Sequence, residues 1–290
     1  MYTVKKSLVL FVKGFIMGIA NIIPGVSGGT LAIILGIYEE FISALSHLFS
    51  NFKKNLKFII PIAIGIVASI ATMSNLIDYS FNHFPVATCL FFVGLVIGGI
   101  PLLTKKVKGK TDSKMIYNFI IFIVTFGLVI FMSLAEIIFD GSFVVSFAHM
   151  SLIGFILLFL VGILAAGTMV IPGVSGSLVL MLIGYYRPVI KTIKSLVHFD
   201  NLAHNGLIIL VFGLGIVFGI VAIAKLFEYL FKKHETKTYY GVLGFIYASI
   251  FAIPISLFTT EDVKLIPLEI CAGVIVLIAG IFVSYKLGEK

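Results

Sequence analysis

The feature that most restricts this chain is a duplication. Residues 14–42 read GFIMGIANIIPGVSGGTLAIILGIYEEFI and residues 162–190 read GILAAGTMVIPGVSGSLVLMLIGYYRPVI; aligned without a gap, 148 positions apart, they share 10 of 29 residues, with IPGVSG unbroken. Such a match at half the chain length marks two copies of one unit. The rest keeps the same order, because apolar runs near 58–77, 86–104 and 116–138 are answered by runs near 206–224, 239–258 and 266–285. The units are therefore 1–138 and 139–290, each a motif region (about 8–48 and about 148–198) followed by three apolar runs.

Composition decides what the units are made of. With 60% hydrophobic and 12% charged residues among 290, the chain holds more apolar surface than a soluble core can absorb, and enough for seven to ten helices at roughly 20 residues per crossing. An all-α polytopic membrane protein is expected, with no room for a soluble catalytic domain. Cys89 and Cys271 both lie inside apolar runs, which argues against a disulfide framework, a Cys-rich metal site or redox chemistry. The net charge of +8 reads as membrane topology and not as affinity for nucleic acid, because the lysines cluster in short loops. Lys5 and Lys6 precede an apolar stretch as in a signal peptide, but Lys13 interrupts it and no small-residue cleavage site follows, so the segment is expected to stay. Lysine makes up 20 of the 21 basic residues, which suits an AT-rich bacterial genome.

Loop charges set the orientation. With a cytoplasmic N-terminus and each motif region returning to its own side, Lys5, Lys6, Lys13, Lys53, Lys54, Lys57, Lys105, Lys106, Lys108, Lys110 and Lys114 fall inside. Lys225, Lys232, Lys233, Lys237, Lys286 and Lys290 join them, which leaves Arg187, Lys191, Lys194 and Lys264 outside: 17 against 4. Three simple crossings per unit is an odd number, so the second unit is expected to be inverted, with both termini cytoplasmic.

The motif regions read as broken helices. Residues 8–22 span roughly 22 Å as a helix, short of the ~30 Å hydrocarbon core. Pro24, Gly25, Gly28 and Gly29, and Pro172, Gly173 and Gly176, interrupt the backbone at depth, which lipid permits only where protein or a water-filled cavity satisfies the freed groups. Two re-entrant hairpins are expected, one from each face, with tips meeting near the midplane. Two full crossings per motif region give the same sidedness, and the length of the second arm, about 148–171, keeps that alternative open.

Ser27 and Ser175 stand where N-caps belong, so the helices beyond them aim unpaired N–H groups and a positive dipole end at whatever lies before them. That favours an anion, and paired discontinuous helices in inverted repeats are a recurrent transporter design. Asn21, Thr30 and Thr168 flank the breaks as substrate ligands or as caps of freed carbonyls. Arg187, the only arginine, lies at the outer headgroup level with a fork suited to phosphate, or serves there as a topological charge. Lys13 has a comparable depth on the inner side. Glu39 and Glu40 take the places of Arg187 and Pro188 in the first copy, and Glu136 and Glu269 lie at the ends of apolar runs, where Lys13, Glu39, Glu136 and Glu269 are candidates for headgroup contact or proton coupling. None of the six histidines reads as a metal ligand, and no cofactor or metal is expected.

At these segments, and over essentially its whole length, the chain resembles the bacterial polyprenyl-phosphate transporters, formerly a domain of unknown function. The duplicated PGVSG segments and the GIYEE and GYYRP stretches that follow carry the resemblance. It implies a flippase in the bacterial cytoplasmic membrane returning undecaprenyl phosphate to the inner leaflet for cell-wall synthesis, with phosphate-handling positions Asn21, Ser27, Gly28, Gly29, Thr30, Thr168, Ser175, Gly176, Ser177 and Arg187. Its partners are then the lipid substrate and the bilayer, and a homodimer is compatible with such a chain. The rival is a transporter or channel for a small soluble anion such as phosphate, because helix N-termini do not distinguish free phosphate from a headgroup. A lipid-pyrophosphate phosphatase would need more cations than one arginine, and the G-x-S-G string lacks the nearby base that a serine nucleophile requires.

Overall fold

The computed structural model describes residues 4–23, 27–107, 115–138, 144–148, 150–260 and 266–288. Among them are twelve helices and no strand: α1 (Val4–Ile22), α2 (Gly28–Ile34), α3 (Tyr38–Ser46), α4 (Phe52–His83), α5 (Pro85–Val107), α6 (Met115–Ile138), α7 (Leu152–Val170), α8 (Gly176–Leu182), α9 (Tyr186–Val197), α10 (Leu202–Lys233), α11 (Glu235–Thr260) and α12 (Pro267–Gly288). The first six and last six correspond one for one. α1 and α7 have 19 residues each and start 148 positions apart, as do the 7-residue α2 and α8; α4 and α10 have 32 each and start 150 apart. The breaks proposed at Pro24 and Gly25 lie outside the described residues.

Seven helices are long and apolar enough to cross a membrane: α4, α5, α6, α7, α10, α11 and α12. Six match the expected runs. The seventh, α7, is the first arm of the second motif region; its counterpart α1, interrupted by Lys5, Lys6 and Lys13, is not among them. α4 and α10 extend well beyond the apolar runs near 58–77 and 206–224, because helix continues through polar ends that include Lys53, Lys54, Lys57, Lys232 and Lys233. At roughly 48 Å each they exceed the hydrocarbon thickness, which tilt and protruding ends accommodate.

Both motif regions stop and restart at the same place. Gly36 and Gly184 adopt φ of 68° and 75°, ending α2 and α8 in the left-handed conformation that glycine takes without strain. The N–H of Ile37 donates to the carbonyl of Ala32 at 3.0 Å and that of Tyr185 to Leu180 at 2.9 Å, the six-to-one bond of a Schellman stop.

Packing is built on paired helices in close backbone contact through small residues, as is usual in lipid. Gly14 and Gly18 of α1 face Ile62 and Ile66 of α4, and Gly215 and Gly219 of α10 face Phe159 and Ile163 of α7, with no room for a β-carbon. Gly94 and Gly98 of α5 likewise face Leu277 and Ile281 of α12. Phe122 and Phe126 of α6 meet Tyr247 and Phe251 of α11. In every pair the register advances in the same sense along both chains, so the partners run parallel. The last turns of α5 and the first of α11 meet at one end, where Lys106 and Tyr239 share Glu39 of α3, so α5 and α11 run oppositely. This is the α3 end of the bundle. The start of α12 meets the start of α5 at the other, the α9 end, where Glu269 accepts from the N–H of Val86 at 2.7 Å and of Ala87 at 3.4 Å. Exposed apolar side chains line α6 and α12, among them Val124, Leu128, Phe131, Ile275, Ile278 and Phe282, as a lipid-facing surface requires.

Candidate functional site

The two helix breaks touch. Ser27 precedes α2 with extended backbone; its hydroxyl accepts from the N–H of Gly29 at 3.2 Å and donates to the carbonyl of Ile171, in the other break, at 3.3 Å. The Thr30 hydroxyl accepts from the N–H of Gly173 at 3.0 Å. Gly29 has the backbone of Val170 and Pro172 against it, and the Tyr38 hydroxyl donates to the carbonyl of Val170 at 3.0 Å. The polar groups freed where α7 ends are therefore satisfied by side chains of the first motif region, which is how irregular backbone survives among apolar helices.

The starts of α2 and α8 differ in exposure. Ser27, Gly28, Gly29 and Thr30 are buried, and every residue of α2 is buried. The first N–H groups of α2 are spoken for: that of Gly28 donates to Asn21 Oδ1 at 3.1 Å, that of Gly29 to Ser27, and those of Thr30 and Leu31 to the Ser27 carbonyl at 3.0 and 3.4 Å. In the second copy Ser175 and Gly176 are half-buried and Ser177 is exposed. The Ser175 hydroxyl accepts from the N–H of Leu178 at 3.4 Å and lies 3.0 Å from that of Ser177. Among the described residues neither the Gly176 nor the Ser177 N–H finds a protein acceptor.

The remaining sequence candidates divide. Thr168 is buried and donates to its own helix, to the Ala165 carbonyl at 2.6 Å. Arg187 stands exposed in the first turn of α9 and forms no ion pair with a described residue. The Lys13 ammonium donates to the Leu35 carbonyl at 2.7 Å, a cation at the C-terminal end of α2 where the helix dipole favours one. Glu39 accepts from Lys106 at 3.1 Å and from the Tyr239 hydroxyl, joining α3 to both halves. Glu269 holds the start of α5, as above. The side chain of Glu136 lies outside the described residues.

Tyr38, Tyr239 and Glu228 were not singled out from sequence, and Lys106 was read there only as a cytoplasmic charge. Tyr38 sits edge-on to Phe227 and Phe231 of α10, with centroids 6.5 and 6.0 Å away, and Ser46 and His47 meet Glu228 of that helix. α3 thus seals one end of the bundle. A signal for Tyr38 was present, since it and Tyr186 are identical in the aligned copies.

Replacing Thr30 with Val keeps the shape and leaves the Gly173 N–H without an acceptor, a loss of about 1–3 kcal/mol. Unfolding in detergent should show Thr30→Val clearly destabilised and Thr30→Ser close to the parent; equal stability of all three would remove the cross-break bond from the account.

A family model described as undecaprenyl phosphate translocase-like matches residues 17–264, which include both motifs. A polyprenyl-phosphate transporter of Staphylococcus aureus (strain NCTC 8325 / PS 47) is 34% identical over 279 residues, covering 96% of this chain and 94% of that protein. A polyprenyl-phosphate transporter of Vibrio cholerae serotype O1 is 27% identical over 242 residues, covering 79% and 71%. No solved structure matches the chain significantly. The chain is therefore an all-helical, multi-pass membrane protein that belongs to the undecaprenyl phosphate translocase-like family.

Proposed function

We propose that this protein is a flippase that returns undecaprenyl phosphate from the outer to the inner leaflet of the bacterial cytoplasmic membrane, for reuse in cell-wall polymer synthesis. The observation that carries the reading is the contrast between the two helix starts, that of α2 buried and capped, that of α8 partly exposed with the Gly176 and Ser177 N–H groups meeting no acceptor among the described residues, and with an exposed arginine in the next helix, α9. A phosphate monoester meets a severe penalty in hydrocarbon while its prenyl tail is at home there, so only the headgroup needs a protein path.

In this reading the halves 1–138 and 139–290 are inverted repeats whose motif regions form re-entrant hairpins. The parallel pairing of α5 with α12 and of α6 with α11, together with the opposed α5 and α11, supports opposite orientation of the halves. Arg187 collects the headgroup, the second break with Ser175, Gly176 and Ser177 holds it, and motion of one half against the other passes it to Asn21, Ser27, Gly28, Gly29 and Thr30. Thr168 stiffens the end of α7 beside the break. The α3 end then faces the cytoplasm, with both chain termini on that side.

The test is reconstitution in liposomes carrying undecaprenyl phosphate in the outer leaflet, read by accessibility of its phosphate, with inorganic phosphate as a competitor. Faster headgroup movement that millimolar free phosphate leaves unchanged is expected. No acceleration, with or without a pH gradient, refutes the flippase; transport of free phosphate instead would make the protein a soluble-anion carrier.

A further inference from the structure

The seal at the α3 end has a sequence counterpart at the α9 end that is not assembled. Tyr38, seated between Phe227 and Phe231, answers to Tyr186 at an offset of 148. The surface that receives it, LFEYLF at 226–231 of α10, answers at an offset of 150 to LIDYSF at 76–81 of α4, identical in three of six residues and with an acid at the same place. Ile77, Asp78 and Phe81 therefore stand in α4 where Phe227, Glu228 and Phe231 stand in α10. Ser46, which reaches Glu228, is answered by Lys194 in α9.

This second set is present and unpaired. Tyr186, Lys194 and Asp78 are exposed, and neither Lys194 nor Asp78 forms an ion pair with a described residue. α3 packs against α10, whereas α9 makes no such packing with α4 among the described residues. Both α9 and the C-terminal third of α4 lie at the same end of the bundle, since α4 leads into the start of α5.

We propose that in the opposite state of the transport cycle α9 docks on α4 as α3 docks on α10 here, with Tyr186 seated between Ile77 and Phe81 and Lys194 paired with Asp78. The inference rests on the transporter reading above. The two seals are not equal. Glu39 is held by Lys106 and Tyr239, while the counterpart of Tyr239 is the thiol of Cys89, which is buried and carries no charge to match Arg187, the counterpart of Glu39. The α9 seal thus leaves the guanidinium for an anionic headgroup, and closure at that end is favoured when the lipid phosphate is bound.

The experiment uses the full chain in liposomes with Cys89→Ala and Cys271→Ala as background. Asp78→Cys with Lys194→Cys should cross-link on oxidation, halt headgroup movement and release it on reduction; Ser46→Cys with Glu228→Cys should trap the state described here. As a second measure, Asp78→Lys and Lys194→Asp should each slow transport about fivefold, the scale of one exposed ion pair, and the double exchange should restore it. Absence of the cross-link together with failure of the exchange to restore the rate overturns the proposal. A cross-link that forms in protein moving no lipid phosphate leaves the α9–α4 seal standing and refutes the function instead.

Discussion

Gly173→Ala is expected to leave almost no folded protein. Gly173 has φ of 77°, where a side chain costs roughly 1–2 kcal/mol. A β-carbon there would also lie 2.7 Å from the Phe245 carbonyl oxygen and 2.8 Å from Ser249 Oγ, so α11 would have to move away from the break. The N–H of Gly173 is the donor to Thr30, and displacement of this turn loosens the contact between the motif regions. Together these place the loss at about 3–5 kcal/mol, in the range of a major packing defect. The measurement is the yield of monodisperse protein from membranes and its unfolding midpoint. Gly127→Ala is the control, because nothing lies within 4 Å of that site and alanine is the better helix former. Parent-like behaviour of Gly173→Ala would show that the left-handed break is not what joins the halves.

Arg187→Ala should preserve the fold and cripple uptake. Arg187 is exposed and forms no ion pair with a described residue, so its removal breaks no salt bridge seen there. A bidentate, charge-assisted contact to phosphate is worth about 1.5–3 kcal/mol, which corresponds to roughly 10- to 100-fold slower headgroup capture from the leaflet at the α9 end. Arg187→Lys retains charge without the fork and should recover part of the rate. The readout is the initial rate against lipid density in liposomes, with unfolding midpoints measured in parallel. A rate unchanged in Arg187→Ala would reduce the residue to a topological charge.

The sequence carried the frame of this molecule because its signals are local. An N-cap serine, a glycine stop and a long apolar run each mark their own position, and the starts of α2 and α8 follow from Ser27 and Ser175. Helix ends were less legible where polar residues continue the helix past the lipid boundary, as in α4 and α10. Side-chain partners distant in sequence left no periodic trace. Lys13, Glu39 and Glu269 read as candidates for headgroup or proton work because they are charges near apolar runs; that each also holds a helix end or joins two halves was not legible. The difference in exposure between Ser27 and Gly28 and their counterparts Ser175 and Gly176 is also invisible in sequence, since the residues are the same. It arises from the side chains that the rest of the fold brings against each start, such as Asn21 against Gly28, and these are distant or unmatched in the alignment.

The hydroxyl of Tyr38 ends on a carbonyl of the other half's break, and that ties two events together. In the proposed cycle, withdrawal of α3 would take from the Val170 carbonyl the hydroxyl that now satisfies it, and an unsatisfied carbonyl among apolar helices costs about 1–3 kcal/mol until something replaces the bond. The natural replacement is water. On that reading, opening at the α3 end would be a wetting step as much as a hinge motion, because water would enter the seam between the two halves to replace the bond.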